Sequence, residues 1–220
     1  MKILAFEFSA PERSVAVLAV ETGSPGRKMG EAFEAGPRAI GTFAMADRAL
    51  EQAQLEREEI DCIAVGLGPG SYNGIRAAIA LAHGWQLARG VHLLGIGSAE
   101  CIAAEARNMG LTGKFAVVID AQRNEFYLAL YDVSPKSAVE VQALRLATRE
   151  QVESCIAGAT PIGPEVLKWF PGGRTIFPRA ATLASLASSR SDFVAGEKLE
   201  PIYLRETQFV KAPPARQIPL

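Results

Sequence analysis

Ile63–Trp85, IAVGLGPGSYNGIRAAIALAHGW, decides the fold. Ile63, Ala64 and Val65 are short and apolar and stop at Gly66, the pattern of a parallel strand buried on both faces. Gly66, Gly68 and Gly70 reach backbone conformations that a Cβ disfavours, and Pro69 stiffens the turn between them. Ser71 or Asn73 is placed to cap a helix by accepting a backbone N–H. From Ile75 to Ala88 that helix is apolar on most sides; Arg76 and His83 share one narrow stripe, and Gln86 is its remaining polar residue. A helix covering a sheet needs one apolar face. The surplus face is built from small residues (Ala77, Ala78, Ala80, Ala82, Gly84), which let another helix come close. The reading is a helix packed on a sheet on one side and on a partner on the other. The competing reading is a core helix buried on both sides within one domain.

Composition narrows the classes. The chain has 220 residues, 49% hydrophobic and 21% charged, as ordinary soluble globular proteins have, and is long enough for one large domain or two small ones. A net charge of -1 leaves no excess of cations for strong nucleic-acid binding by this chain alone. Cys62, Cys101 and Cys155 are widely spaced and form no CxxC pair, so buried reduced thiols are expected rather than disulfides or a zinc site. Glu7, Glu12 and Arg13 interrupt any signal-peptide core, and no apolar run approaches the ~20 residues of a membrane span. A cytoplasmic protein with no membrane contact is expected.

Strands are predicted at Lys2–Phe8, Ser14–Val20 and Lys28–Ala35, forming an antiparallel meander. A helix follows at Thr42–Glu59, where Phe43, Ala46, Leu50 and Ala53 recur at helical spacing. After the opening stretch come a strand at His92–Ile96 and a helix at Ser98–Met109, with Ser98 as N-cap and Gly110 as its stop. The second half repeats the order, with strands at Lys114–Asp120, Glu125–Asp132 and Ser137–Leu146. Thr148 opens a helix to Ala157 with Gln151 completing a capping box. A strand at Thr160–Gly163 and a helix from Pro164 that ends before Pro171 follow, then a strand at Arg174–Phe177 and a helix at Ala180–Ser189. Lys211–Leu220, with three prolines, is expected to be extended. The expected fold class is α/β, with two actin-like, ribonuclease-H-like domains at residues 1–110 and 111–220, each a mixed sheet with flanking helices. Such domains face a cleft where related folds hold nucleotide phosphates.

Three segments resemble one family in the right order. Gly66–Trp85 resembles the signature of the bacterial TsaB (YeaZ) family, Asp120–Tyr127 (DAQRNEFY) is similar to its Asp-Ala-Arg-Arg-x-Glu-Val-Tyr segment, and Pro201–Arg205 (PIYLR) matches its Pro-x-Tyr-Leu-Arg. Glu7-Phe8-Ser9 stands where the family usually has Asp-Thr-Ser, Ser71-Tyr72-Asn73-Gly74 replaces Ser-Phe-Thr-Gly, and the usual His-Ser pair is absent from Thr42–Arg48. The resemblance implies an accessory, non-catalytic role in making threonylcarbamoyladenosine beside the tRNA anticodon. It implies a TsaD-type paralogue as partner, joined by a TsaE-type ATPase, with ATP and metal held on those subunits, no cofactor here and tRNA met only through the complex. An exposed apolar helix pair finds its own copy when no partner is present, so the chain is expected to homodimerise when alone. The alternative is an actin-like ATPase or kinase, or the hydrolase suggested by the older glycopeptidase label.

The candidate partner-binding residues are Met45 and Ala49 on the first helix and Ile75, Ala78, Ile79, Ala82 and Trp85 on the second, with the acidic edge of the first helix as rim. A candidate vestigial anion or nucleotide site comprises Glu7, Ser9, Gly68, Gly70, Ser71 and Asp120. Neither a Walker A loop nor Gly-x-Gly-x-x-Gly is present, because Ile75-Arg76 follows Gly74 and Asn73 holds the third glycine position. Backbone donors at the helix start still offer an anion site; the competing reading is a turn that seats the helix. Asp120 is expected to cap the Ala121–Asn124 turn and pair with Arg123. His83 and His92 are nine apart, without metal-ligand spacing, and no catalytic or metal-ligating set is assigned.

Overall fold

The computed structural model describes residues 1–19, 27–36 and 41–205. The expectation for Lys211–Leu220 lies outside them. Three strands open the chain: β1 (Lys2–Glu7), β2 (Glu12–Ala19) and β3 (Arg27–Ala35). They pair antiparallel, and β4 (Cys62–Gly66) and β5 (His92–Ile96) add parallel to the free side of β1, giving the order β3-β2-β1-β4-β5. The side chains of β1 alternate between two cores, as a period of two requires. Leu4 and Phe6 face α1 (Thr42–Ala53) and α2 (Tyr72–Arg89), while Ile3 and Ala5 face α5 (Ala180–Ala187).

The second sheet repeats the plan. β6 (Gly113–Asp120), β7 (Glu125–Val133) and β8 (Ala138–Thr148) form an antiparallel meander, and β9 (Thr160–Gly163) and β10 (Arg174–Thr175) join parallel, in the order β10-β9-β6-β7-β8. Phe115, Val117 and Ile119 pack against α3 (Ser98–Asn108); Ala116 and Val118 pack against α4 (Arg149–Ile156) and the turn at Val166–Phe170. The strands therefore divide at about the chain midpoint, but the helices do not. α3 comes from the first half and covers the second sheet, while α5 comes from the second half and covers the first. Small residues on both sides of the α5 contact (Ala16, Ala64, Ala180, Ala184) bring helix and sheet together.

Four predicted elements differ. The first helix ends at Ala53: Gln54 adopts a left-handed conformation, and a 3-10 turn at Arg57–Glu59 with a Glu56/Glu59 capping box returns the chain to the sheet through buried Ile60. Ser98 is the first residue of α3 rather than its cap, because its hydroxyl is turned onto Glu7. No α-helix follows Pro164; a single 3-10 turn, Val166–Lys168, suffices to bury Val166 and Phe170. The strand at Arg174 stops at Thr175. By contrast, the Thr148 and Gln151 side chains make the reciprocal capping bonds expected of them. No helix among the described residues is long and apolar enough to cross a membrane.

Candidate functional site

Two places carry the candidate residues. The first is the cleft between the sheets, a cavity of about 480 Å³. It brings together Ser9, Gly70, Ser71 and Asp120 of the predicted set, and adds Arg13, Gln122 and Tyr127. Glu7 and Gly68 are not in its wall. Gly68 stands against Ile75, with a positive φ of 87°.

Close approach to the end of β1 explains the glycines. A Cβ on Gly70 would lie 2.1 Å from the Ser9 carbonyl oxygen, and one on Gly74 would lie 2.0 Å from that of Phe8. The Ser71 N–H donates to the Ser9 oxygen at 2.7 Å, and Ser71 Oγ accepts from the Gly74 N–H at 3.3 Å. The Gly68 carbonyl accepts from the Ser98 N–H at 2.7 Å. The Ser71 and Gly74 donors are engaged with protein atoms, and the turn seats α2 and α3 on β1.

Glu7 is fully buried. Its Oε1 accepts from the Ser9 N–H at 2.8 Å and its Oε2 from Ser98 Oγ at 3.3 Å. Burial pushes its carboxyl above the ordinary carboxylate range, against the opposing pull of these bonds. A fully buried carboxyl already bonded to Ser9 and Ser98, and outside the cavity wall, is poorly placed to hold a cation in the cleft. Asp120 Oδ1 accepts from the Gln122 N–H at 2.7 Å and so caps the turn at the end of β6. The expected pairing with Arg123 is not made; Gln122, Arg123 and Asn124 all take positive φ, and the cation that reaches this turn is Arg205. Arg205 donates to the Ala121 and Gln122 carbonyls at 2.9 and 3.2 Å and pairs with Glu125. The two sequence segments Asp120–Tyr127 and Pro201–Arg205 thus meet in space.

The polar stripe of α2 has a partner that its sequence did not reveal. The segment from Phe193 to Arg205 runs back across the first half of the molecule. The Val194 N–H donates to the Leu93 carbonyl, the Gly196 N–H to Gln86 Oε1, and the Ile202 N–H to the Leu67 carbonyl. The ring of His83 packs on Gly196, and His92 stacks on Phe193 with centroids 4.3 Å apart. Both histidines therefore hold this return segment. Among the described residues, no three His, Cys, Asp or Glu side chains gather as a metal site.

The second place is the outer face of α1 and α2. Here the residue assignment is corrected. Met45, Ala49, Ile75, Ala78 and Ala82 are at most 2% exposed, Trp85 is 9% exposed, and all six belong to the molecule's own core. Ile79 is half-buried against the same core. The residues that face outward are Ala77, Ala80, Gly84, Leu87 and Ala88, with Phe43 of α1 beside them. Phe43 is 57% and Leu87 77% exposed. Between the helices Phe43, Leu81, Gly84 and Ala88 line an apolar groove of about 530 Å³ flanked by Arg57 and Arg89. The acidic rim is partly neutralised, since Asp47 pairs with Arg57.

Fold and cleft together define a two-domain protein of the actin-like class. A family model described as TsaD, tRNA N6-adenosine threonylcarbamoyltransferase, matches residues 42–202. An uncharacterized protein of Mycobacterium leprae is 30% identical over 159 residues, covering 71% of this chain and 41% of that protein. The match thus spans about two fifths of the length of that relative. The tRNA threonylcarbamoyladenosine biosynthesis protein TsaB of Haemophilus influenzae is 22% identical over 193 residues, covering 79% of this chain and 82% of TsaB. YeaZ from Pseudomonas aeruginosa superposes with a TM-score of 0.77 at 25% identity, covering 92% of this chain and 99% of YeaZ. The chain belongs to the TsaB (YeaZ) family, within the wider family of TsaD-type threonylcarbamoyltransferases.

Proposed function

We propose that this chain is a non-catalytic scaffold subunit in tRNA threonylcarbamoyladenosine biosynthesis. It binds a TsaD-type paralogue through the outer face of α1 and α2 and supports threonylcarbamoyl transfer to the adenosine beside the anticodon. A TsaE-type ATPase joins the pair, ATP and metal are held on those partners, and the isolated chain homodimerises through the same face. The observation that carries the reading is the exposed run Ala77, Ala80, Gly84 and Ala88 beside Phe43 and Leu87. Small residues admit a second helix at close range, and the flanking large apolar side chains supply area that association removes from water. The enzymatic alternative needs a carboxylate and backbone donors open to the cleft; the burial of Glu7 outside the cavity wall and the engagement of the Ser71 and Gly74 donors weigh against it.

Gly84 gives a clean test. A Cβ there meets nothing within 4 Å, so Gly84→Glu leaves the monomer folded while placing a charge in the contact. The variant is expected to melt at or above the wild-type temperature and to lose co-purification with the paralogue. Retained co-purification would place the interface elsewhere.

A further inference from the structure

Tyr72 at the start of α2 and Tyr203 of the return segment stack at the lip of the cleft. Their ring centroids are 5.4 Å apart at an interplanar angle of 29°. The guanidinium of Arg76 lies 5.1 Å from the Tyr72 centroid and donates to the Tyr72 hydroxyl. The stack fastens the return segment, as His92 does on Phe193, and it also leaves ring surface open. Here Tyr72 remains 51% exposed and Tyr203 45% exposed, with Leu204 beside them 39% exposed. Tyrosine rings have flat faces that accept other π-systems, and an arginine over such a ring adds a cationic plane.

The charge around this lip is uneven. Glu125 pairs with Arg205 and Glu165 with Lys168, while Asp120 accepts from the Gln122 N–H and Glu34 stands opposite Arg13 in the β2–β3 register. Arg13 in the cleft wall, Arg76 on α2 and Arg123 in the turn after β6 form no ion pair among the described residues. Stacking surface beside arginines that form no ion pair is the chemistry that holds an unpaired base through its face and the adjoining phosphates through charge.

We infer that Tyr72, Tyr203 and Arg76 form a stacking site for an unpaired base of an RNA strand, with Arg13 and Arg123 drawing its phosphates. The site lies at the N-terminal end of the helix whose outer face is proposed to bind the paralogue. RNA as the occupant rests on the proposed role in tRNA modification; the stacking geometry does not. This chain would then contact tRNA directly, in addition to scaffolding the enzyme that modifies it.

The chain has four tyrosines, at positions 72, 127, 131 and 203, so the full chain labelled with 3-fluorotyrosine gives four fluorine resonances, assigned with single Tyr→Phe variants. The probes are a short unstructured RNA and, separately, AMP at the same base concentration. Saturable shifts of the Tyr72 and Tyr203 resonances with RNA are expected, weaker with AMP, while Tyr131, only 4% exposed, stays fixed. Tyr203→Ala is expected to weaken RNA binding about tenfold, the usual effect of removing one stacking ring. Arg76→Gln, an exposed change that leaves the fold intact, is expected to weaken binding and flatten its salt dependence. No shift at millimolar base overturns the inference. Equal response to AMP and RNA overturns RNA as the occupant, and a shift confined to Tyr127 moves the ligand into the cleft and overturns the stacking site. None of these readouts requires the paralogue, so they separate this inference from the scaffold proposal.

Discussion

Glu7 carries a buried carboxyl whose partners are a backbone N–H and a hydroxyl. Its folded-state pKa is raised, so between the unfolded value and that raised value the folded chain binds more protons than the unfolded one. The stabilisation is fully present below the unfolded pKa and is lost as pH rises through the folded one. Glu7→Gln removes this slope and keeps an acceptor for the Ser9 N–H. The urea midpoint of the variant relative to the wild type is expected to rise as pH is raised from below the ordinary carboxylate range; a difference that does not change with pH would show that Glu7 ionises as readily folded as unfolded. The sequence placed Glu7 correctly at the end of the first strand. It gave no sign that Ser98, remote in the chain, sits over the carboxyl, and so the residue read as a cleft acid. Asp120 was more legible, because its turn-capping partner is only two residues away.

At the scale of elements, α2 shows what a pattern can and cannot tell. Its existence and its surplus apolar face follow from local spacing, and Ser71, one of two candidates, is its cap, though it begins at Tyr72 rather than near Ile75; a helix apolar on most sides does not declare which side meets the sheet. Of the residues chosen as outward, Ile75, Ala78, Ala82 and Trp85 face the core and Ile79 is half-buried, whereas Ala77, Ala80 and Gly84 of the small-residue face do point outward. Two glycines of this helix make opposite demands. Gly74→Ala drives a methyl into the Phe8 carbonyl and is expected to cost about 2 kcal/mol or more. Gly84→Ala meets open space and is expected to add about 1 kcal/mol through helix propensity alone. Urea denaturation of the pair checks both signs; equal effects would mean that the glycine turn is not closely seated on β1.

At the scale of the whole molecule, the order of elements was enough to read two similar halves, because each meander and each alternation leaves a local trace. The exchange of α3 and α5 between the sheets leaves none, since it depends on which surfaces meet after the chain has turned back. The return segment is a second case. Its ties to Leu67, Gln86 and Leu93 and its arginine on the turn after β6 join distant residues, and they explain polar groups on α2 that otherwise looked unassigned. These ties hold the two sheets together around a cleft whose glycine turn is occupied by the protein itself, an arrangement suited to presenting a surface. The most direct measurement of that account is a reconstitution with the TsaD-type paralogue, the adenylate-forming enzyme, the ATPase, tRNA, threonine, bicarbonate and ATP. Modified adenosine is read with the wild-type chain, with Gly84→Glu, with Asp120→Asn and with no chain. The account predicts product that requires this chain, survives Asp120→Asn and is lost with Gly84→Glu. Product formed without the chain, or lost with Asp120→Asn while Gly84→Glu remains active, would contradict it.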